Sequence, residues 1–374
     1  MKLSVIIVNY NVRYYVEQCV KSVERATKNI DTEIFIVDNA SRDHSVSYLH
    51  KCLKGRVEII ESSYNLGFAR ANNMAIRQSE GDYILLLNPD TIVGEDSIKT
   101  VLDFMDNHPN AGGVGVKMHN SDGSLARESR RGIPTPFVSL LKMLGLSKRY
   151  YLSNLSWDEP GRIEIISRAF CMVRRDVINK VGVLDKDFFM YGEDIDFSFR
   201  ILKAGFENWY VPANIIHYKG ESTQKSSYRY VHVFYQAMIK FFRKHYGHLS
   251  FLLTIPIKLA IYLRALLALL VMEYVRVHKK LGLTFNEDFS TIFCFVGSSG
   301  MLWECKKIAR RKGLEASFCK SLDEIQSCDV LVYDTDMFSY EEIIKHANSH
   351  AGSFHIGTFS RRNHIIITPN EIII

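Results

Sequence analysis

The chain has 374 residues, of which 47% are hydrophobic and 24% charged. This composition is typical of globular proteins and excludes collagen-like, coiled-coil and disordered chains, and the length corresponds to about two domains. The net charge of +6 is too small to indicate a nucleic-acid partner, and we expect none. The basic residues are grouped, which fits phosphate groups, an anionic membrane surface or simply a solvated face. One group comprises Arg127, Arg130, Arg131, Lys142, Lys148 and Arg149.

The seven cysteines are scattered and include no Cys-x-x-Cys pair. This spacing argues against a zinc site or a disulfide scaffold and favours a reducing, cytoplasmic compartment. The sequence opens on the strand-like run Leu3–Val8 and shows no signal-peptide pattern,.

Apolar β-type runs alternate with helical patterns over the first 90 residues. The predicted strands are Leu3–Val8, Glu33–Val37, Val57–Ile60 and Tyr83–Leu87, and the predicted helices are Val12–Thr27, Ser45–Leu53 and Gly67–Gln78. Such alternation predicts a mostly parallel sheet with ligands at the carboxyl ends of the strands. Asn9, Asp38 and Asp90 fall at those ends. Residues 112–212 are less regular, with strand-like stretches in 163–173 and helices at 176–180 and 194–204.

A very apolar segment occupies residues 249–275 and is interrupted by Pro256, Lys258, Arg264 and Glu273. Its length suits a membrane-spanning helix, but its interior is charged, so helices lying in the membrane interface are the favoured prediction. A buried helical hairpin and a spanning helix remain as alternatives.

A new strand–helix pattern begins near residue 291, with strands at 292–296, 330–333, 353–356 and 365–367. It predicts a small Rossmann-like α/β domain. Its Gly297–Gly300 turn lacks the full dinucleotide fingerprint,. A packing or regulatory module is therefore preferred over a nicotinamide-binding domain.

Four motifs follow the predicted strands in a fixed order: residues 8–11 (VNYN), 37–41 (VDNAS), 65–73 (NLGFARANN) and 87–91 (LNPDT). Together they resemble glycosyltransferase family 2, the inverting enzymes with the GT-A fold, and in particular its rhamnosyltransferase-like subgroup. The resemblance covers residues 1–245. It implies an α/β fold with a mixed, mostly parallel sheet for this first domain. The sequence pattern adds the apolar membrane-associating segment, at 246–285, and the small domain, at 286–374.

The resemblance implies a divalent cation, Mg²⁺ or Mn²⁺, that stabilises a departing nucleoside diphosphate. Asp90 and His217 are the predicted metal ligands. Asn88 stands where the family usually has the first aspartate of Asp-x-Asp, which removes one charge and predicts contact with the donor instead. Taken alone, Asn88-Pro89-Asp90 is more typical of an ordinary turn, and only the other motifs favour the metal site.

The other predicted donor-binding residues lie in the first three motifs. By resemblance Asp38 accepts the imide N–H of uracil or thymine, and its structural alternative is a helix cap near Ser41. Gly67 allows close approach of the backbone. The full set is Asn9, Tyr10, Asp38, Asn65, Gly67, Arg70, Asn72 and Asn88.

The stretch 189–200 contains the Glu-Asp-x-Asp pattern of the family. By resemblance Asp194 is the base that removes the proton of the acceptor hydroxyl, whereas Glu193 and Asp196 orient loops or pair with Arg200. Three carboxylates at a helix start also suit the helix dipole, which is the structural alternative. Lys219 or Lys225 is expected near the diphosphate.

The resemblance predicts inverting transfer of a sugar, with rhamnose suggested, from a UDP- or dTDP-sugar to an acceptor hydroxyl, and the apolar segment favours a glycan or polyprenyl-diphosphate-linked acceptor. The apolar segment and its basic flanks predict a peripheral place on the inner face of a bacterial membrane, in surface polysaccharide assembly. The alternative is a nucleotide-sugar-binding regulator or scaffold without turnover.

Overall fold

The computed structural model describes residues 1–143, 145–219, 228–247 and 291–374, with a few isolated positions between the last two ranges. The first domain contains strands β1 (Leu3–Asn9), β2 (Thr32–Asp38), β3 (Glu58–Glu61), β4 (Tyr83–Leu87), β5 (Thr91–Val93), β6 (Ala111–His119), β7 (Gly161–Ile163), β8 (Phe170–Arg174) and β9 (Glu207–His217). Its helices are α1 (Arg13–Ala26), α2 (Ser45–Leu53), α3 (Phe68–Gln78), α4 (Ser97–Asn107), α5 (Pro136–Met143), α6 (Arg175–Val181), α7 (Glu193–Lys203) and α8 (Tyr228–Tyr246).

The described strands of the first domain form one mixed sheet in the order β3-β2-β1-β4-β8-β6-β9-β5, with β7 beside β9. The β3-β2-β1-β4 half is parallel, whereas β8 is antiparallel to both β4 and β6. Strand β1 is buried throughout because helices cover both faces of a parallel sheet,. The predicted mixed α/β sheet is confirmed, and β1, β2 and β4 end at one edge, where the motif residues gather.

The region predicted to be less regular contains two long strands, β6 and β9, which pair in parallel. Three glycines weaken the strand pattern of β6,. Their small size has a packing reason: a Cβ at Gly112 would lie 2.7 Å from the Phe206 side chain, and one at Gly113 would lie 2.6 Å from Ile166. The sheet therefore extends further across the domain than the sequence pattern indicates.

The second domain begins at β10 (Ile292–Val296), followed by α9 (Ser299–Lys312), β11 (Glu315–Cys319), β12 (Val330–Asp334), α10 (Tyr340–Ser349), β13 (His355–Ser360), β14 (Ile365–Ile367) and β15 (Ile372–Ile373). Its sheet has the order β11-β10-β12-β13-β14-β15, parallel from β11 to β13. The small α/β domain that the sequence predicts is thus present.

The start of α9, where a dinucleotide would place its phosphates, is filled by the chain's own Asp334. This buried carboxylate accepts hydrogen bonds from the backbone N–H and hydroxyl of Ser298 and pairs with Arg361 at 2.9 Å. A Cβ at Gly297 would lie 2.3 Å from the Cβ of Asp334. The glycine turn therefore serves close packing, which argues against the nicotinamide-cofactor alternative.

The two domains share a hydrophobic core that runs from β1 and α1 into β12 and α10. Polar contacts reinforce it. Glu95 accepts hydrogen bonds from the first two backbone N–H groups of α10, those of Tyr340 and Glu341, at 2.9 and 2.8 Å. Gln18 donates to the Thr358 hydroxyl at 2.6 Å. The second domain is therefore a docked part of the structure.

Replacing Gly123 by alanine should loosen this docking. Gly123 has a φ of +77°, and a Cβ there would lie 2.0 Å from the backbone carbonyl oxygen of Ala347 in α10. The contact is with backbone, so the domains must separate locally, and we expect a loss of about 2–3 kcal/mol in unfolding free energy, measured by urea denaturation. Gly55→Ala is the matched control, since Gly55 has a φ of +74° with nothing within 4 Å of its added Cβ. Equal losses in the two variants would show that the contact with Ala347 adds nothing.

Among the described residues, no helix combines the length and apolar character needed to cross a membrane. The apolar segment 249–275 lies outside the described residues apart from isolated positions, as does Lys225. The membrane prediction and the domain boundaries at 245 and 286 therefore stay predictions.

Candidate active site

The first cluster of motif residues lies where β1 and β2 end side by side. Asn9 and Asp38 are register partners, and the Asn9 amide donates to Asp38 Oδ1 at 2.6 Å. Asp38 Oδ2 accepts the backbone N–H of Ser41 at 3.0 Å. Helix α2 begins only at Ser45 and has no side-chain cap, so this is a contact within the loop, and the helix-cap alternative for Asp38 is wrong. Each carboxylate oxygen keeps a second lone pair for a further donor. Tyr10 follows at this edge and is 37% exposed.

The second cluster joins the third motif to the loop before α7. The Asn39 amide nitrogen donates to Asn65 Oδ1 at 3.0 Å, and Asn39 Oδ1 accepts the backbone N–H of Leu66 at 2.7 Å. Gly67 has a φ of +77°, and a Cβ there would lie 2.3 Å from the carbonyl oxygen of Phe189. Glycine is thus required by approach of the Phe189 backbone, which places the donor motif against the loop that precedes Asp194.

Two residues of the third motif point elsewhere. Asn72 is 1% exposed, and its amide donates to the Phe68 carbonyl one turn earlier in α3. Arg70 is exposed and reaches the Lys186 carbonyl at 3.4 Å. Arg70 thus lies near the 185–189 loop at the surface, whereas Asn72 is enclosed. Their predicted donor contacts stay predictions.

Asn88, Asp90 and His217 converge at the end of β4. Strand β5 pairs antiparallel with β9, so Thr91 lies opposite His217, and the Tyr218 N–H donates to the Asp90 carbonyl at 3.0 Å. The Nε2 atom of His217 lies 3.3 Å from Asp90 Oδ1 and 3.1 Å from the Asn88 amide nitrogen. The structure therefore brings together both predicted metal ligands and the adjacent asparagine.

Burial acts to raise the pKa of Asp90, but the neighbouring His217 and Arg168 outweigh it and hold the pKa below its usual value. A buried, ionised carboxylate and an imidazole suit Mn²⁺, or less well Mg²⁺, when phosphate oxygens and water supply the remaining ligands. No group of three metal-ligating side chains occurs among the described residues. This donor set fits a cation that arrives with a diphosphate rather than one held in a closed protein cage.

Arg168 connects this cluster to the carboxylates of α7. Its guanidinium lies 3.2 Å from Glu193 Oε1. Arg168 directly precedes Ala169, whose carbonyl accepts the Asn88 N–H at 3.1 Å, and its positive charge helps to lower the pKa of Asp90. Arg168 therefore lies next to both the Asn88–Asp90 turn and the start of α7.

Asp194 lies at the start of α7 with its side chain 12% exposed. Its Oδ2 pairs with Arg131 at 2.5 Å, and Oδ1 accepts the N–H of Ile195. Glu193 is fully buried, and its Oε2 atom has no hydrogen-bond partner. Burial raises the pKa of Glu193 to about 7, repulsion from Asp194 adds to this, and Arg168 opposes it. Of the two carboxylates, only Asp194 is accessible to an acceptor.

Asp196 plays a structural part. It pairs with Arg200 at 2.8 Å, as predicted, and also with Lys244 and His245 of α8, each at 2.7 Å. Lys219 binds Asn120 and Glu128, at 2.5 and 3.0 Å.

Arg168 and Arg131 were not identified as site residues from the sequence. Arg168 precedes β8, whose antiparallel pairing with β4 sets Phe170 opposite Leu87 and the Asn88 N–H against the Ala169 carbonyl. Arg168 could be assigned to the site only from the antiparallel pairing of β8 with β4, and no local sequence pattern predicts that pairing. The sequence indicates Arg131 only as one of a group of basic residues.

Residues 4–182 match the family model Glycosyl transferase family 2. The match covers just under half of the chain and makes this part similar to glycosyltransferase family 2. The match includes the first four motifs, Asp90 and Arg168, and the Glu193–Asp196 region follows it.

Curated relatives share this domain with the chain. An N-acetylglucosaminyl-diphospho-decaprenol L-rhamnosyltransferase of Mycobacterium tuberculosis is 28% identical over 242 residues, 59% of this chain and 77% of that protein. The rhamnosyltransferase WbbL of Escherichia coli is 30% identical over 161 residues, 41% of this chain and 61% of that protein. The predicted similarity to rhamnosyltransferases is thereby confirmed.

Among solved structures, a mannosyltransferase from Pyrobaculum calidifontis in complex with GDP-Man and Mn²⁺ superposes with a TM-score of 0.47 at 17% identity. The match covers 65% of this chain and 63% of that one.

Proposed function

We propose that this glycosyltransferase moves a sugar from a pyrimidine nucleoside-diphosphate sugar to an acceptor hydroxyl, with inversion at the anomeric carbon. The observation that carries the proposal is the connection through Arg168 of two clusters: Asp90 with His217, and Glu193 with Asp194. Inversion requires a base on the face of the sugar opposite the departing diphosphate. Two chemically different clusters beside Arg168 support such a division of roles.

On the donor side, Asp90 and His217 would hold a divalent cation, with Asn88 beside them. When bound, the cation neutralises charge that develops on the leaving diphosphate. Asn9 and Asp38, at the ends of β1 and β2, would bind the nucleoside. A buried carboxylate acceptor favours a base with a ring N–H donor, such as uracil or thymine, and pairs poorly with adenine, whose ring N1 is itself an acceptor.

On the acceptor side, Asp194 would take the proton of the attacking hydroxyl. Arg131 fixes the orientation of this carboxylate through the pair to Oδ2. Asn88, in place of an aspartate, lowers the negative charge near the cation, which fits a metal bound together with its donor.

The relatives named as rhamnosyltransferases support L-rhamnose as the sugar, donated as dTDP-rhamnose. The name of the mycobacterial relative also supports a lipid-linked acceptor, namely an N-acetylglucosaminyl-diphospho-polyprenol. A lipid-linked acceptor would bring the enzyme to the inner face of a bacterial membrane.

The test is calorimetric titration of the full chain with dTDP-rhamnose, UDP-glucose, UDP-N-acetylglucosamine and ADP-glucose, with Mn²⁺ and with EDTA. We expect Mn²⁺-dependent binding of a dTDP- or UDP-sugar and at least about tenfold weaker binding of ADP-glucose, because adenine offers Asp38 no ring N–H. Transfer to N-acetylglucosaminyl-diphospho-farnesol is then followed by mass spectrometry. Equal affinity for the purine donor, or no binding at all, would contradict the donor assignment. Binding without transfer to any acceptor would favour a scaffold.

A further inference from the structure

A cavity of about 650 Å³ lies beside the candidate active site, between the 127–130 segment and the chain that follows α5. Its described lining residues include four cations and no carboxylate. The lining comprises Arg127, Arg130, Leu141, Gly145, Leu146, Ser147, Lys148, Arg149, Tyr151, Ser153 and Trp157. The lining thus combines positive charge with apolar and aromatic side chains.

Arg130 forms the built part of this cavity. Its side chain is only 4% exposed, its guanidinium stacks 3.5 Å from the centre of the Trp157 ring, and it donates to the Leu155 carbonyl. Its Nε atom is buried without a hydrogen-bond partner. A buried guanidinium with an unused donor and no carboxylate partner is costly unless an anion approaches.

Further positive charge surrounds Arg130, and Glu128 offsets part of it. Arg127, Lys148 and Arg149 form no ion pair with a carboxylate among the described residues. Lys142 lies 3.6 Å from the centre of the Tyr150 ring, where burial and repulsion from Arg131 lower its pKa to about 8. Several cations that converge on one cavity are the arrangement proteins use for phosphate groups.

The position of the cavity relates it to the acceptor. Arg127 and Arg130 line the cavity, while their neighbour Arg131 pairs with Asp194 and Glu128 pairs with Lys219, two residues beyond His217. One short segment therefore contacts the cavity, the predicted base and the strand end that carries the predicted metal ligand. An anion in the cavity would lie on the Asp194 side of the site.

Apolar side chains lie at the same place. Leu141 and Leu146 line the cavity, and Leu146 is 61% exposed. Phe137, at the start of α5, is 59% exposed. Exposed apolar side chains beside a cationic cavity suit a ligand with a charged head and a hydrocarbon tail.

We infer that this cavity binds the diphosphate of a polyprenyl-linked acceptor, with Leu141 and Leu146 contacting the first isoprene units. The inference rests on the proposed function and makes it more specific. A guanidinium group can bind two phosphate oxygens at once. The lining supplies the guanidinium groups of Arg127, Arg130 and Arg149 and the ammonium of Lys148. Seating the diphosphate here would hold the attached sugar hydroxyl toward Asp194.

The binding test uses the fluorescence of Trp157, which lies inside the cavity. The full chain, saturated with dTDP and Mn²⁺ to fill the donor site, is titrated with farnesyl diphosphate and separately with farnesol in detergent. We expect saturable quenching by farnesyl diphosphate, about tenfold or more weaker binding of farnesol, and loss of the signal in Trp157→Phe. Equal affinity for the two ligands would show an apolar site without diphosphate recognition and would overturn the inference.

The kinetic test compares the double variant Lys148→Gln/Arg149→Gln with Arg310→Gln/Arg311→Gln, a matched charge change on exposed residues of α9. With N-acetylglucosaminyl-diphospho-farnesol, the cavity variant should raise the acceptor KM by about tenfold or more and leave the donor KM unchanged, because two charge-assisted contacts are lost. The α9 variant should match wild type. Transfer with an unchanged acceptor KM would overturn the inference and leave the proposed function standing. If wild type transfers no sugar yet binds farnesyl diphosphate selectively, the proposed function fails while the cavity assignment stands.

Discussion

Replacing Asp194 by asparagine should reduce kcat for sugar transfer by about 100- to 10,000-fold, the range that a general base contributes. The amide keeps the size of the side chain and an oxygen for Arg131, but it cannot accept a proton. Donor binding should stay within about twofold of wild type, because the role proposed for Asp194 concerns the acceptor and the proposed donor contacts lie at the ends of β1, β2 and β4. The measurement is steady-state transfer together with calorimetric titration of the donor.

The control is Asp176→Asn, an equivalent change at an exposed position of α6 outside the site, which should transfer sugar like wild type. Glu193 is the competing base because its raised pKa suits proton transfer near neutral pH. Its complete burial separates it from any acceptor, whereas the Asp194 side chain is 12% exposed. An Asp194→Asn enzyme with more than about one tenth of wild-type kcat would exclude Asp194 as the base.

The sequence was sufficient for the parallel half of the sheet, because β1, β2 and β4 are continuous apolar runs that end in polar residues. It was insufficient for β6 and β9. Strand β6 carries glycines that lower strand propensity, and these are needed only because Phe206 and Ile166 pack against them. Long-range packing of this kind overrides local preference and cannot be inferred from the chain pattern.

The residues of the candidate site likewise include some that the sequence predicts and some that it does not. Residues at or just beyond the ends of parallel strands, such as Asn9, Asp38 and Asp90, could be placed together because those strands end at one edge of the sheet. Arg168 and Arg131 come from segments whose position depends on antiparallel pairing and on a loop contact across the sheet. Their contribution is to neutralise and orient carboxylates, which is a property of the folded arrangement and leaves no motif in the sequence.

Asp196 provides the strongest prediction about stability. The side chain is fully buried in the first turn of α7, two residues after Asp194, and its carboxylate contacts Arg200, Lys244 and His245. Arg200 belongs to α7, whereas the other two belong to α8. One carboxylate thus pairs with three cationic or protonatable groups. It joins α7, which carries the predicted base, to α8.

Asp196→Ala should lower the unfolding free energy by about 3–5 kcal/mol, because removing one member of a buried ion-pair network leaves the others unpaired. Urea denaturation monitored by circular dichroism measures the loss, and Asp187→Ala, at an exposed carboxylate in the preceding loop, should change stability by less than about 0.5 kcal/mol,.

The pH dependence distinguishes loss of this charge from simple loss of packing. Burial acts to raise the pKa of Asp196, but hydrogen bonds from His245 and Lys244 and the charge of Arg200 together lower it to about 2, from an ordinary value of 3.8. Because the folded-state pKa is the lower one, the ionised carboxylate stabilises the fold above pH 4, and this contribution of on the order of 2 kcal/mol is lost as the pH falls from about 4 to 2. Asp196→Ala should therefore show a flatter decline of stability over that range than wild type. Parallel declines in the two proteins would mean that folding leaves the pKa of Asp196 at its ordinary value, so that the contacts with α8 do not favour the ionised carboxylate.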